Sequence, residues 1–223
     1  MNNNVNVTEL DKLVKKQKEL AKKVIIEDRF DMASINYIAG IDQAFPDKDT
    51  IISGIVVLDY KTLQPVEKIH IRTKVTFPYI PGFLSFREGP AIIKAYKKLK
   101  LRPDILMIDA NGILHPRRIG LASHVGVLLN RPTIGVAKSL LCGEQKGDHI
   151  VMNDEKIGYR LVSKIGCKPI FISSGHMVSL ESSVVIVKHC LAGYRLPEPT
   201  RLAHKYVNEV KNKLRSVETL YEH

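Results

Sequence analysis

The chain has 223 residues, enough for one domain with a full core, and its 44% hydrophobic share is that of a folded soluble protein. Thirty-four basic against twenty-three acidic residues leave a net charge of +11, which favours a polyanionic partner, although a basic surface kept for solubility would look the same. The longest apolar stretches, Ile51 to Leu58 and Val184 to Val187, are too short to cross a bilayer, so no membrane span is expected.

The amino terminus is Asn-rich and then mixes Lys with Glu and Asp, so it reads as neither a signal nor a transit peptide, and a cytoplasmic protein is expected. Thr8-Glu9-Leu10-Asp11 resembles a capping box and opens an amphipathic helix. Leu10, Leu13, Val14, Leu20, Ala21 and Val24 fall on one stripe, with lysines opposite, and the stripe is expected to cover a sheet. Strands are predicted over Ile35–Asp42, Ile51–Tyr60 and Val66–Val75, joined by connections short enough for antiparallel hairpins. A helix follows over Arg87–Leu99, then a wholly apolar and hence central strand over Ile105–Asp109. Next come a helix over Ile119–Leu129 and a strand over Thr133–Ala137. Strands over Gly158–Val162 and Pro169–Ile172, a helix over Leu180–Leu191 and a last helix capped by Thr200 complete the series. Three hairpin-linked strands followed by alternating helix and strand is the order of a ribonuclease H-like fold, an α/β mixed β-sheet with helices on both faces. The whole chain, 1–223, reads as one unit, with an N-terminal helix and lead-in over 1–32 and a core over 33–215. Cys142, Cys167 and Cys190 are widely spaced and form no CxxC pair, so they read as thiols of a reducing compartment.

Asp42 and Asp109 each end an apolar strand. If those strands are parallel neighbours, both carboxylates emerge at one sheet end, where they repel unless a cation such as Mg²⁺ sits between them. Each could equally cap the turn that follows. Glu88 reads as an acid at the start of a helix, suited to the helix dipole or to a third position beside a metal pair. Pro78-Tyr79-Ile80-Pro81-Gly82 is a stiff loop that either presents an aromatic ring to bases or packs Tyr79 on the core. The segment from Asp109 to His124 crowds an acid, two histidines and two arginines between a strand and a helix. Its arginines suit phosphate, His115 a proton or a phosphate, and His124, inside an apolar helix, a structural role. Lys138, just past a strand, could meet the same sheet end or simply be solvated.

Five blocks in order make the chain resemble the endonuclease V family from about Ile38 to Tyr206. They are Ala39-Gly40-Ile41-Asp42, the run from Pro78 to Glu88, Asp109 to Arg118, Thr133 to Lys138, and Gly193 to Thr200. The resemblance implies a ribonuclease H-like fold and Mg²⁺-dependent hydrolysis (with Mn²⁺ as a substitute) of DNA carrying deoxyinosine or another deaminated base. Cleavage is implied at the second phosphodiester 3′ to the lesion, leaving 3′-hydroxyl and 5′-phosphate ends. Asp42 and Asp109 match the metal-binding aspartates and Glu88 the third catalytic acid. Tyr79 matches the aromatic wedge, while Gly82, Leu84 and Leu121 match a pocket that reads hypoxanthine largely through backbone groups. His115 and Lys138 match residues near the scissile phosphate. This chain departs from many members at Ala110 and Asn111, and carries His204 where many have an acid; a histidine there can still ligate a metal or hold its water. The resemblance also leaves room for an endoribonuclease acting on inosine in RNA and for a binding module without catalysis. A resolvase-like nuclease of the same fold lacks the proline-bounded block. A monomer is expected.

Overall fold

A computed structural model describes residues 7–221, so the Asn-rich tip lies outside the described residues. Strands β1 (Tyr37–Ala44), β2 (Thr50–Asp59) and β3 (Pro65–Lys74) form the expected antiparallel meander. Strands β4 (Ile105–Ile108) and β5 (Thr133–Ala137) then run parallel to β1 in the middle of the sheet. Strands β6 (Glu144–Lys146), β7 (His149–Met152), β8 (Glu155–Leu161) and β9 (Ile170–His176) complete one nine-stranded sheet of order β3-β2-β1-β4-β5-β9-β8-β7-β6.

Side chains alternate across a strand, so β1 and β4 each feed two cores. Ala39, Ile41, Leu106 and Ile108 face helices α2 (Leu84–Lys97) and α3 (Leu121–Leu129). Ile38, Ile105 and Met107 face α4 (Leu180–His189) and α5 (Glu198–Tyr221). The arrangement is the predicted ribonuclease H-like one, with helices on both faces. No helix among the described residues is long and apolar enough to cross a membrane.

Several boundaries move, each for a physical reason. Helix α2 begins at Leu84 rather than Arg87, because Phe83 supplies no side-chain cap that a sequence could advertise, and it accommodates Pro90. Glu88 therefore lies in the second turn, beyond the reach of a simple dipole argument. Strand β9 continues to His176 because Ser173, Ser174 and His176, polar in sequence, are buried against β5. The β6–β7 hairpin was not predicted: Glu144–Lys146 is exposed throughout and shows no apolar alternation. Helix α5 starts at Glu198, which places Thr200 inside it rather than at its cap. Helix α1 (Val7–Ala21) already includes Thr8, and it packs against α3 instead of covering the sheet.

Candidate active site

The alternation that sends Ile38 and Met107 to the α5 face sends Asp42 and Asp109 there as well. Ile41 pairs with Ile108 across the parallel ladder, and the Asp109 amide donates to the Ile41 carbonyl at 3.1 Å, so the two acids sit side by side. Both side chains are about nine-tenths buried or more. Helix α5 reaches them because residue 40 is glycine: a Cβ there would stand 1.7 Å from the Pro199 carbonyl oxygen. That contact lays α5 across β1 and brings His204 Nδ1 to 2.7 Å from Asp42 Oδ2. With the proton on Nδ1, His204 Nε2 is left to accept from Asn208 Nδ2 at 3.3 Å. Asp42 Oδ1 accepts from the Gln43 amide at 2.8 Å, while Lys138, at the end of β5, ion-pairs with Asp109. Arg195 donates to the Lys138 carbonyl at 2.9 Å and to Lys168 and Pro169, which ties down the backbone under that lysine.

Electrostatically the cluster is frustrated. Burial, then the neighbouring Asp109 charge, raise the Asp42 pKa, against the hydrogen bonds from Gln43 and His204 and the charge of Lys138. Glu88 comes from α2 on the opposite face; burial, then Asp42, push its carboxyl up to about 8, with Asp109 adding to this and Arg87 opposing it. Ligand atoms of Asp42, Asp109 and His204 lie within 4.8 Å of one another, a set that Glu88 does not join. Two buried carboxylates and one imidazole, held close despite their repulsion, fit a divalent cation.

Directly beside this cluster lies a cavity of about 260 Å³. Its wall includes Tyr79, Gly82, Leu84 and Leu121, the residues expected to bind substrate, together with His115. Ala110 and Ser139 also line it, and each immediately follows a residue of the charged cluster, Asp109 and Lys138. Tyr79 is 69% exposed, so the alternative of a ring packed on the core is excluded. Asn111 is also in the wall, and the backbone that follows it is held by β9: Gly112 N donates to Ser173 Oγ at 2.9 Å and Ile113 N to the Ser174 carbonyl at 2.8 Å.

His115 groups with the cavity. Its Nδ1 accepts from the Arg117 amide and its Nε2 stands 3.2 Å from the Gly82 carbonyl oxygen. Burial, then the Arg117 charge, lower it to about 4, so its ring is neutral. The arginines expected to hold phosphate are engaged elsewhere. Arg117 binds Gln17 and Gly82, and Arg118 makes a bidentate pair with Glu155 at 2.8 and 2.9 Å. His124 is buried edge-on to Phe86, and burial lowers it to about 4, in keeping with the structural role expected of it. Gln17, Ser139 and Leu141 were not foreseen. Only Gln17 left a sequence signal, being a polar residue amid the apolar stripe of α1.

Comparison with known proteins agrees with this architecture. The sequence model of the family described as Endonuclease V matches residues 18–205. An endonuclease V of Rippkaea orientalis is 48% identical over 205 residues, 88% of this chain and 89% of that protein. One from Dictyoglomus turgidum is 44% identical over 210 residues, 91% of each chain. The fold superimposes with a TM-score of 0.86 and 30% identity on an endonuclease V of Ciona intestinalis solved in complex with a 23mer DNA containing an inosine followed by a ribo-adenosine. That similarity covers 94% of this chain and 100% of the other.

Proposed function

The chain belongs to the endonuclease V family, and we propose that it hydrolyses the second phosphodiester 3′ to a deoxyinosine in DNA, leaving 3′-hydroxyl and 5′-phosphate ends. The observation that carries this reading is the shared wall: Asp109 and Ala110, and likewise Lys138 and Ser139, join the charged cluster to the cavity with no intervening residue. A base seated in the cavity therefore keeps its own strand beside the carboxylates.

The parts divide as follows. Tyr79, exposed on its turn, enters the stack where the base leaves it, and a deaminated base leaves more easily because its pairing is weak. Leu84 and Leu121 take the base between apolar surfaces, and the backbone around Gly82 faces its edge. Asp42 and Asp109 with His204 would hold Mg²⁺, or Mn²⁺ in its place, and Glu88, whose pKa burial and the two aspartate charges raise, is the third acid beside them. When bound, that ion supplies positive charge for the developing phosphate and an oriented water. Lys138 lies within ion-pairing reach of Asp109 and can bind the phosphate. The positive surface steers and retains the strand, a contribution that falls with salt.

The test is a labelled duplex with one deoxyinosine, with and without Mg²⁺, beside an undamaged duplex and the matching inosine RNA. The expected product is a metal-dependent nick one nucleotide beyond the lesion in DNA alone. Cutting confined to RNA would make the protein an inosine-specific endoribonuclease, and binding without cutting would make it a recognition module.

A further inference from the structure

Helix α1 carries a side chain that its apolar stripe does not explain. Gln17 is fully buried, one residue ahead of the segment that matches the family's sequence model. A buried carboxamide is costly unless both ends are hydrogen-bonded, and here both are. Its Oε1 accepts from Arg117 Nε at 2.6 Å and its Nε2 donates to the Gly82 carbonyl at 2.9 Å. Arg117 Nη2 donates to that same oxygen at 2.6 Å, with its guanidinium 4.7 Å above the Phe83 ring, and His115 adds the contact at 3.2 Å.

The carbonyl so gripped belongs to a tight turn. Phe83 N donates to the Ile80 carbonyl at 3.0 Å, Pro81 takes the second position, and Gly82 the third with φ +79°. That is the pattern of a type II turn. Tyr79 stands immediately before it. A turn on the protein surface ordinarily retains backbone freedom, whereas this one is fastened to α1 and to the His115–Arg117 segment through a single oxygen.

We propose that Gln17 is a positioning residue that, with Arg117, holds the Ile80–Phe83 turn, and Tyr79 ahead of it, in base-receiving geometry and thereby sets affinity for the lesion rather than the rate of hydrolysis. The proposal rests on the reading of this cavity as the base site. Ordering the turn in advance removes an entropic cost that binding would otherwise carry.

Gln17→Leu keeps the size of the side chain and removes both hydrogen bonds. The expected result is a KM for the deoxyinosine duplex raised about tenfold with kcat changed less than about twofold, the scale of lost charge-assisted hydrogen bonds. Gln17→Glu, which can still accept from Arg117 but cannot donate to Gly82, should recover part of the affinity. A second readout needs no catalysis. The chain contains no tryptophan, so Tyr79→Trp supplies a lone tryptophan beside the turn that can be excited apart from the tyrosines, and adding Gln17→Leu should lower its anisotropy while circular dichroism is unchanged. Unchanged KM and anisotropy would overturn the proposal, as would kcat, KM and melting temperature all worsening together. Should the wild type fail to cut deoxyinosine DNA, the base-site reading falls, and the anisotropy of the Tyr79→Trp variant still decides whether Gln17 holds the turn.

Discussion

The carboxylate cluster and the cavity beside it are built in opposite ways. Asp42 stands on β1 and Asp109 directly after its parallel neighbour β4, in the middle of the sheet, where ladder hydrogen bonds and two apolar cores fix their separation. Their placement is rigid and their charges are in conflict. The cavity is walled by loops and by the first turns of α2 and α3, and its shape depends on side chains that reach across the molecule to grip backbone, as Gln17, Arg117 and Ser173 do. Strands suit a site that must hold like charges together against repulsion. Loops suit a site that must admit a flat ring, provided something else supplies their stiffness.

If that division is right, damage to the first region should remove chemistry and damage to the second should weaken recognition. The largest effect is expected for Asp109→Ala: cutting should fall by about 10³ or more, the scale of several kcal/mol of charge stabilisation, while binding of the lesion duplex persists in a gel-shift assay. Equal cutting by variant and wild type would break the comparison at its root. Gly82→Ala should act the other way. Its φ of +79° strains any other residue, and a Cβ would meet Arg117 Nη2 at 2.7 Å, so affinity for deoxyinosine DNA should drop roughly tenfold with kcat largely kept.

A smaller and different contrast concerns pH in the cation-free protein. Glu88 is raised to about 8 in the fold from an ordinary 4.5, so the folded state binds more protons than the unfolded chain between those values. Its contribution to stability is present below 4.5 and is lost as pH rises toward about 8. His115 and His124, lowered to about 4 from 6.5, contribute stability above 6.5 that is lost as pH falls toward about 4. With a chelator present, the melting temperature should therefore decline between pH 6.5 and 8, and Glu88→Gln should flatten that decline. Added Mg²⁺ or Mn²⁺ should raise the melting temperature most at the alkaline end, since cation ligands must be deprotonated. A cation effect independent of pH would argue against the carboxylate cluster as its site.

The smallest effect is expected at Ala110, whose methyl lines the cavity. Ala110→Gly enlarges the pocket by about one methyl group, and should shift the preference between deoxyxanthosine and deoxyinosine about threefold toward the larger base. No shift in competition assays would place Ala110 outside the base-binding wall.

Much of this was legible in one dimension because it depends on local backbone geometry. Apolar runs ending in Asp42 and Asp109 announced strands, the second of them central, and both acids fall at one sheet end because those strands are parallel neighbours. The stiff Pro78–Gly82 block announced a loop too rigid for a central strand. The polar strand β6 and the serine-rich end of β9 left no such trace, because their burial or exposure is decided by the strands they pair with. Nor did sequence distinguish arginines that are free to hold phosphate from Arg117 and Arg118, which the fold commits to other partners.

By itself, then, the sequence determined the order of the elements apart from the β6–β7 hairpin, the family, and two apolar strands that end in acids. Tertiary structure alone decided that α5 lies close enough over Gly40 to bring His204 to Asp42 across 162 positions, and that Gln17 meets Gly82 across 65. Periodicity is written into each stretch of backbone. A hydrogen bond between distant stretches exists only where packing delivers donor and acceptor to within about 3 Å of each other.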